Sequence, residues 1–306
     1  MATSATSETK NLTFQSHAEQ CVGTLYLPSV RNNSSSNTSK PPVIVMAHGF
    51  CAQRDFRLPE FAERFAAEGY ASFLFDYRNF GDSTGHPRHW VSPRRHQQDW
   101  REAISFVRTL TEIDPTRIIL WGTSYSGGHV LQIASERPPI VATIAQVPFV
   151  SGVSMLASTP LGRSLKLTAV ALRDMIGSLI GYPHYSPAVG HPDEFAAMNT
   201  PECWDGWHAL MPSDTKWENK VTSRAFLTAT LFNPVFAASK ISVPTLIVAS
   251  KRDSITPCHL AEKTSQKIPN SKFVSLNTNH FGPYIGEMFE QNVAAQIDFL
   301  KANVAT

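Results

Sequence analysis

The chain reads as an α/β protein: a mostly parallel central sheet flanked by helices, with a helical insertion near its middle. Three observations predict this. Apolar runs of strand length, such as Val43-Ile44-Val45-Met46-Ala47 and Ala71-Ser72-Phe73-Leu74-Phe75, lack the polar alternation of a half-exposed strand. Segments with helical apolar spacing alternate with them, as βαβ units require. Between Val147 and Pro244 that alternation stops.

Taken in order, residues 1–11 read as a flexible tail, and 12–14 with 21–27 as a strand pair at the start of the sheet. Residues 28–41, with Asn32-Asn33-Ser34-Ser35-Ser36-Asn37, have little to bury and read as a mobile hairpin loop. The strand 43–47 is followed by a helix with Pro59 in its first turn, Phe61 and Phe65 on one face and Gly69 as its stop. After the strand 71–75, Ser92-Pro93 opens a helix whose Trp100, Ile104, Val107 and Leu110 form one stripe. Strands are then expected at 117–121, 140–147, 244–249 and 272–276, with helices at 129–135, 260–268 and around Phe289, Val293, Ile297 and Leu300. The core is therefore assigned to 12–150 and 240–303, and a helical lid to 151–239.

Composition narrows the function. The chain has 306 residues with 42% hydrophobic content, enough for a large core. A formal charge of +2 gives no basis for binding nucleic acid or a charged membrane surface. The most apolar long stretch, 161–181, carries Arg163, Lys166, Arg173 and Asp174, so no membrane insertion is expected. Cys21, Cys51, Cys203 and Cys258 stand far apart, with no metal-like spacing to histidine. Free thiols, no cofactor, no metal and a cytoplasmic location are the expectations. The first residues show no basic and apolar signal segment.

The chemistry centres on Trp121-Gly122-Thr123-Ser124-Tyr125-Ser126-Gly127-Gly128, where a strand ends and a helix begins. A serine held in a tight strand-to-helix turn is a nucleophile elbow, which demands small neighbours two positions away. Gly122 meets that demand on one side, and Ser126 replaces the usual glycine on the other. Ser124 is the expected nucleophile.

A serine hydroxyl needs an imidazole to take its proton and a carboxylate to orient that imidazole. In sheets of this type, functional groups gather just past the carboxyl ends of strands. Asp253 and His280 each follow a predicted strand, and they come in the order serine, acid, histidine. His259 follows Asp253 too closely and reads as the opening of a helix. The oxyanion of acyl transfer needs two backbone N–H donors. Tyr125, after the nucleophile, supplies one; Phe50, in the His48-Gly49-Phe50-Cys51 loop, supplies the other. His48 reads as structural, and Arg78 with Asp82 as a local ion pair behind the site.

In the insertion, Leu165, Leu172, Met175, Ile176 and Leu179 are helix-spaced, and Trp204, Trp207, Trp217, Phe226, Leu231 and Phe232 add aromatic and apolar mass. Most are expected to pin the lid to the core. An apolar lid above the serine favours an extended hydrophobic acyl group.

Asp76-Tyr77-Arg78-Asn79-Phe80-Gly81-Asp82-Ser83, Gln98-Asp99-Trp100-Arg101 and Trp121–Leu131 resemble the α/β-hydrolase superfamily. Within it they are similar to the fungal polyketide transferase and thiohydrolase group and to related bacterial hydrolases. The resemblance spans residues 12–302, apart from the Asn/Ser-rich loop. It implies release of a polyketide-like acyl chain from an ester or thioester, by water or onto an alcohol, in secondary metabolism. The acyl group would arrive free or on the carrier protein of a polyketide synthase. Carried over by position, the triad is Ser124, Asp253 and His280; Ser126 departs from the general motif but suits the subgroup. Dehalogenases and epoxide hydrolases of this fold need an aspartate at position 124, which excludes them. The alternatives are a carboxylesterase or lactonase acting on small apolar esters, and a non-hydrolytic binding protein or cyclase that reuses the pocket.

Overall fold

The structure, a computed structural model, describes residues 7–29 and 39–306. In chain order its first half comprises β1 (Glu8–Ser16), β2 (Glu19–Leu27), β3 (Val43–Ala47), α1 (Leu58–Ala67), β4 (Ala71–Phe75), α2 (Pro93–Val107), β5 (Ile118–Thr123), α3 (Tyr125–Ser135) and β6 (Ala142–Gln146). The insertion follows with α4 (Gly152–Ser158), α5 (Leu161–Ser178), β7 (Tyr185–Ser186), α6 (Cys203–Leu210), β8 (Val221–Thr222) and α7 (Ala225–Thr230). The sheet then resumes with β9 (Thr245–Ser250), α8 (Cys258–Ser265), β10 (Ser271–Leu276) and α9 (Gly286–Asn303).

Eight strands form the central sheet in the order β1-β2-β4-β3-β5-β6-β9-β10. The first hairpin and the β2–β4 pair are antiparallel; every later pairing is parallel. Every residue of β3, β4, β5, β6 and β9 is buried, which is why these strands read as continuous apolar runs. Among the flanking helices, α1 packs on α9 and α2 on α3. Phe61 meets Phe289 edge-on at 4.8 Å between ring centroids, joining α1 to α9 over Trp121 of β5.

Two expectations need correction. The tail expected over residues 1–11 is already a strand from Glu8, because β1 pairs with β2 through its backbone from Glu8↔Leu27 to Ser16↔Glu19. An edge strand needs no apolar residues at its outer end, so Glu8-Thr9-Lys10-Asn11 gave no strand signal. Residues 1–6 of that tail, and residues 30–38 of the expected mobile loop, lie outside the described residues.

The Arg78–Asp82 pair does not form. Arg78 Nε donates to Asp99 Oδ1, which also accepts from the Ser16 hydroxyl at 2.6 Å, while Asp82 takes Arg54 Nη2 at 2.7 Å. Arg78 and Asp99 are both buried, and a buried cation persists where a carboxylate meets it. Asp82 lies at the surface, where it offers no such match.

Candidate active site

Ser124 is the single residue between β5 and α3. Its backbone sits at φ 55°, ψ −117°, a region that side-chain-bearing residues rarely adopt. Backbone hydrogen bonds hold it there: its N–H donates to the Gln146 carbonyl at 2.8 Å, and its carbonyl accepts from Phe149 N–H at 2.8 Å. The turn is tight enough that a Cβ on Gly122 would lie 2.2 Å from the Ser126 carbonyl oxygen. Ser126 fits because its hydroxyl shares a 2.7 Å hydrogen bond with Tyr77 Oη, which in turn accepts from Trp100 Nε1 at 2.8 Å. Helix α3 therefore starts directly at Tyr125, earlier than residue spacing indicates, since the glycines after it mask the helical pattern.

Asp253 and His280 come from the loops after β9 and β10, and the structure brings both to Ser124. His280 Nε2 lies 3.1 Å from Ser124 Oγ, and His280 Nδ1 lies 2.7 Å from Asp253 Oδ2. Burial pushes the Asp253 carboxyl up. The His280 imidazole and hydrogen bonds from His280 and Thr256 outweigh this and hold it below the ordinary carboxylate range. Its other oxygen, Oδ1, accepts the Ile255 and Thr256 amides at 2.9 and 2.7 Å. The carboxylate is thus ionised and clamped on both sides.

Thr256 is a site residue that sequence reasoning missed. Its hydroxyl lies 2.8 Å from Asp253 Oδ2, 3.0 Å from the Val147 carbonyl and 3.2 Å from His280 Nδ1. An aspartate followed three residues later by threonine at a helix approach was the available signal, because such residues close a turn on each other's backbone.

The loop after β3 closes the other side. A Cβ on Gly49 would come 2.9 Å from Ser124 Cβ, so only glycine lets this loop lie against the serine. Cys51 adopts φ 57° and its carbonyl accepts from Trp217 Nε1 at 2.7 Å, which ties the loop to the insertion. Among the described residues, neither the Phe50 nor the Tyr125 amide donates to a protein carbonyl outside the helices. The Phe50 and Tyr125 rings meet edge-on at 5.6 Å. His48 is buried beneath the loop, with Nδ1 3.0 Å from the Gly49 carbonyl oxygen, and burial lowers its pKa.

A second hydrogen-bond network, also missed, joins the strand bearing Ser124 to the segment following His280. Thr123 Oγ1 hydrogen-bonds Tyr284 Oη and accepts from Gln146 Nε2 at 3.1 Å. Gln146 Oε1 accepts from Asn292 and Gln296 of α9 at 2.6 and 2.9 Å, and Gln296 accepts from Trp121 Nε1 at 2.7 Å. Each polar group is buried and satisfied, which makes such a network rigid.

Beside Ser124 and His280 lies a cleft of ≈ 410 Å³ counted to its open mouth. Phe50, Phe56 and Leu58 line it from the core, and Met198, Trp207 and Leu210 from the insertion. The leucines and isoleucine of α5 do not. Leu165, Leu172, Met175, Ile176 and Leu179 are exposed, contrary to the expectation that they anchor the insertion. The face of α5 that packs inward is marked by Ala171 and by Asp174, whose carboxylate binds Arg224 Nε at 2.7 Å and Nη2 at 2.8 Å. An apolar stripe by itself does not say whether it meets the same chain.

A family described as serine aminopeptidase, S33 matches residues 38–277. The chain belongs to this α/β-hydrolase family. It is 40% identical over 290 residues to the quorum-quenching protein AidA of Acinetobacter baumannii, covering 94% of this chain and 93% of that one. The thiohydrolase aneE of Aspergillus aculeatus is 25% identical over 270 residues, 85% of each chain. The crystal structure of the α/β-hydrolase GrgF from Penicillium sp. sh18 superposes with a TM-score of 0.81 at 21% identity, covering 98% of this chain and 100% of that one. These likenesses make the resemblance to fungal polyketide transferases and thiohydrolases a finding, and the α/β-hydrolase fold with it. Among the described residues of this hydrolase, no helix is long and apolar enough to cross a membrane, and no group of three or more His, Cys, Asp or Glu is arranged to hold a metal ion.

Proposed function

We propose that this α/β-hydrolase is a serine esterase or acyltransferase that opens an ester, thioester or lactone of a hydrophobic acyl group through an acyl-enzyme. The observation that carries the reading is the chain of contacts Ser124 Oγ–His280 Nε2–Asp253 at 3.1 and 2.7 Å beside an apolar cleft. Ser124 Oγ attacks the carbonyl carbon as its proton passes to His280 Nε2. Asp253 holds the Nδ1–H tautomer and stabilises the imidazolium. The tetrahedral oxyanion takes hydrogen bonds from the Phe50 and Tyr125 amides, the latter at the start of α3, where the helix dipole favours negative charge. His280 then protonates the leaving alkoxide or thiolate, and water or an alcohol resolves the acyl-enzyme by the reverse path. The insertion serves as the lid, with Met198, Trp207 and Leu210 over the acyl group.

A polyketide-like thioester is supported by the likeness to a thiohydrolase. A small apolar ester or lactone is the second reading, supported by the higher identity to a quorum-quenching protein. An acyl-N-acetylcysteamine thioester, a short aryl ester and a lactone, each offered with and without an alcohol acceptor, separate the two. Ser124→Ala should lower turnover of whichever is used by about 10⁴-fold or more and abolish fluorophosphonate labelling. Retained turnover in that variant sinks the serine mechanism.

A further inference from the structure

The thirteen large apolar side chains that are exposed among the described residues all lie between Val153 and Phe236, in the insertion. Eight of them belong to α5 and the turn after it: Leu161, Leu165, Leu172, Met175, Ile176, Leu179, Ile180 and Tyr182. They are well exposed, with Leu165 at 63%, Ile176 at 67% and Leu179 at 86%. Together they present on the order of 1,000 Å², more than the ~300–600 Å² of the largest apolar patch on a typical monomer. That matches the scale of the ~800 Å² that each partner contributes to a stable interface.

The stripe has an internal order. Gly162, Leu165, Ala169, Leu172, Ile176 and Leu179 follow one another at alternating spacings of three and four, and all six are exposed. That is the heptad pattern of a helix that pairs with another helix, with small or β-branched residues at one core position and leucine at the other. The opposite face of α5 is committed to its own chain through Ala171 and the Asp174–Arg224 pair, so the stripe cannot rotate inward.

We propose that this stripe is the two-fold interface between two copies of this chain, α5 lying antiparallel across its partner's α5 near Ala169 and Leu172. A single apolar stripe without exposed carboxylates offers no charge code for a different protein, whereas a two-fold axis makes one patch its own complement. Antiparallel crossing opposes the two helix dipoles. Lys166 and Arg173 flank the stripe on one side, and their long side chains can turn to water. A lipid surface is the weaker fit. Interfacial helices anchor with Trp and Phe, and this stripe has only Tyr182 at its end.

Sedimentation equilibrium of the full chain tests this, with Leu172→Glu as the disrupting variant and Ala169→Cys in a Cys258→Ser background as the reporter. The expected results are a wild-type dimer at micromolar concentration and a dissociation constant raised about 100-fold or more by Leu172→Glu. The Ala169→Cys variant should form a disulfide-linked dimer under mild oxidation. Fluorophosphonate labelling and the far-ultraviolet circular dichroism spectrum, unchanged in Leu172→Glu, show that the fold is intact. A wild-type monomer overturns the proposal, whether or not it sediments with phosphatidylserine-containing vesicles. So does a dimer that Leu172→Glu leaves whole, or one that Ala169→Cys fails to link.

Discussion

Ser124 is held in its strained conformation by its neighbours, so the cost of disturbing it falls on residues with no chemistry of their own. Gly122→Ala would drive a Cβ to 2.2 Å from the Ser126 carbonyl, which is backbone and cannot swing away. That variant should lose about 3 kcal/mol or more of stability, or fail to accumulate as soluble protein; a melt close to wild type would show that the turn can open. Thr256 touches Asp253 and does not line the cleft. In Thr256→Val the shape is kept, but the one hydroxyl proton that lies between Asp253 Oδ2 and the Val147 carbonyl is lost. Steady-state kinetics should give kcat about tenfold lower with KM little changed, the worth of one buried hydrogen bond of ~1–1.5 kcal/mol. An unaltered kcat would leave the orientation of Asp253 to its two backbone donors alone.

Strands and helices converge on the serine in pairs, and the joints between them are polar. β5 carries Ser124, while His280 stands between β10 and α9, and the Thr123–Tyr284–Gln146–Asn292–Gln296 network locks the two sides together. Burial pushes the Tyr284 phenol up to about 12, so it remains a neutral hydroxyl at any working pH. Tyr284→Phe should lower kcat/KM about tenfold and slow fluorophosphonate labelling in parallel, with the melt falling by only a few degrees. Labelling at the wild-type rate would mean that the elements hold their positions without this bond. Asp99 works similarly for β1, tying Ser16 at the edge strand to α2 and to Arg78.

Across the whole molecule, the least comfortable residues are three buried imidazoles, His48, His96 and His129, packed around Tyr77 under the serine turn. Burial lowers the pKa of each, to about 3 for His129, and neither ring nitrogen of His96 or His129 has a protein hydrogen-bond partner. In the unfolded chain these groups take up protons near the ordinary histidine value of ~6.5. The unfolded state therefore binds more protons than the folded state as pH falls below that value. Their contribution is complete above about pH 6.5 and is lost on the acid side at up to ~1.4 kcal/mol per pH unit for each imidazole. Denaturant unfolding at pH 7, 6, 5 and 4.5 should show this slope, and His129→Phe should reduce it by one proton's worth. Parallel slopes for variant and wild type would mean that His129 is protonated in the folded protein.

Much of this was legible from the chain alone. Val43–Ala47, Ala71–Phe75 and the elbow strand betray themselves because a strand buried on both faces has no polar positions. Ser124, Asp253 and His280 are legible because each follows a strand end, and strand order makes those ends neighbours. What sequence could not supply depends on contacts between distant segments. Arg78 takes Asp99 rather than Asp82 because α2 brings a buried carboxylate to it. Thr256 and Tyr284 gain meaning only when the loops after β9 and β10 meet β5 and β6. The apolar stripe of α5 shows the limit most clearly. Periodicity says that one side of a helix avoids water, but only the packing of Asp174 on Arg224 decides which side faces the core and which is left bare.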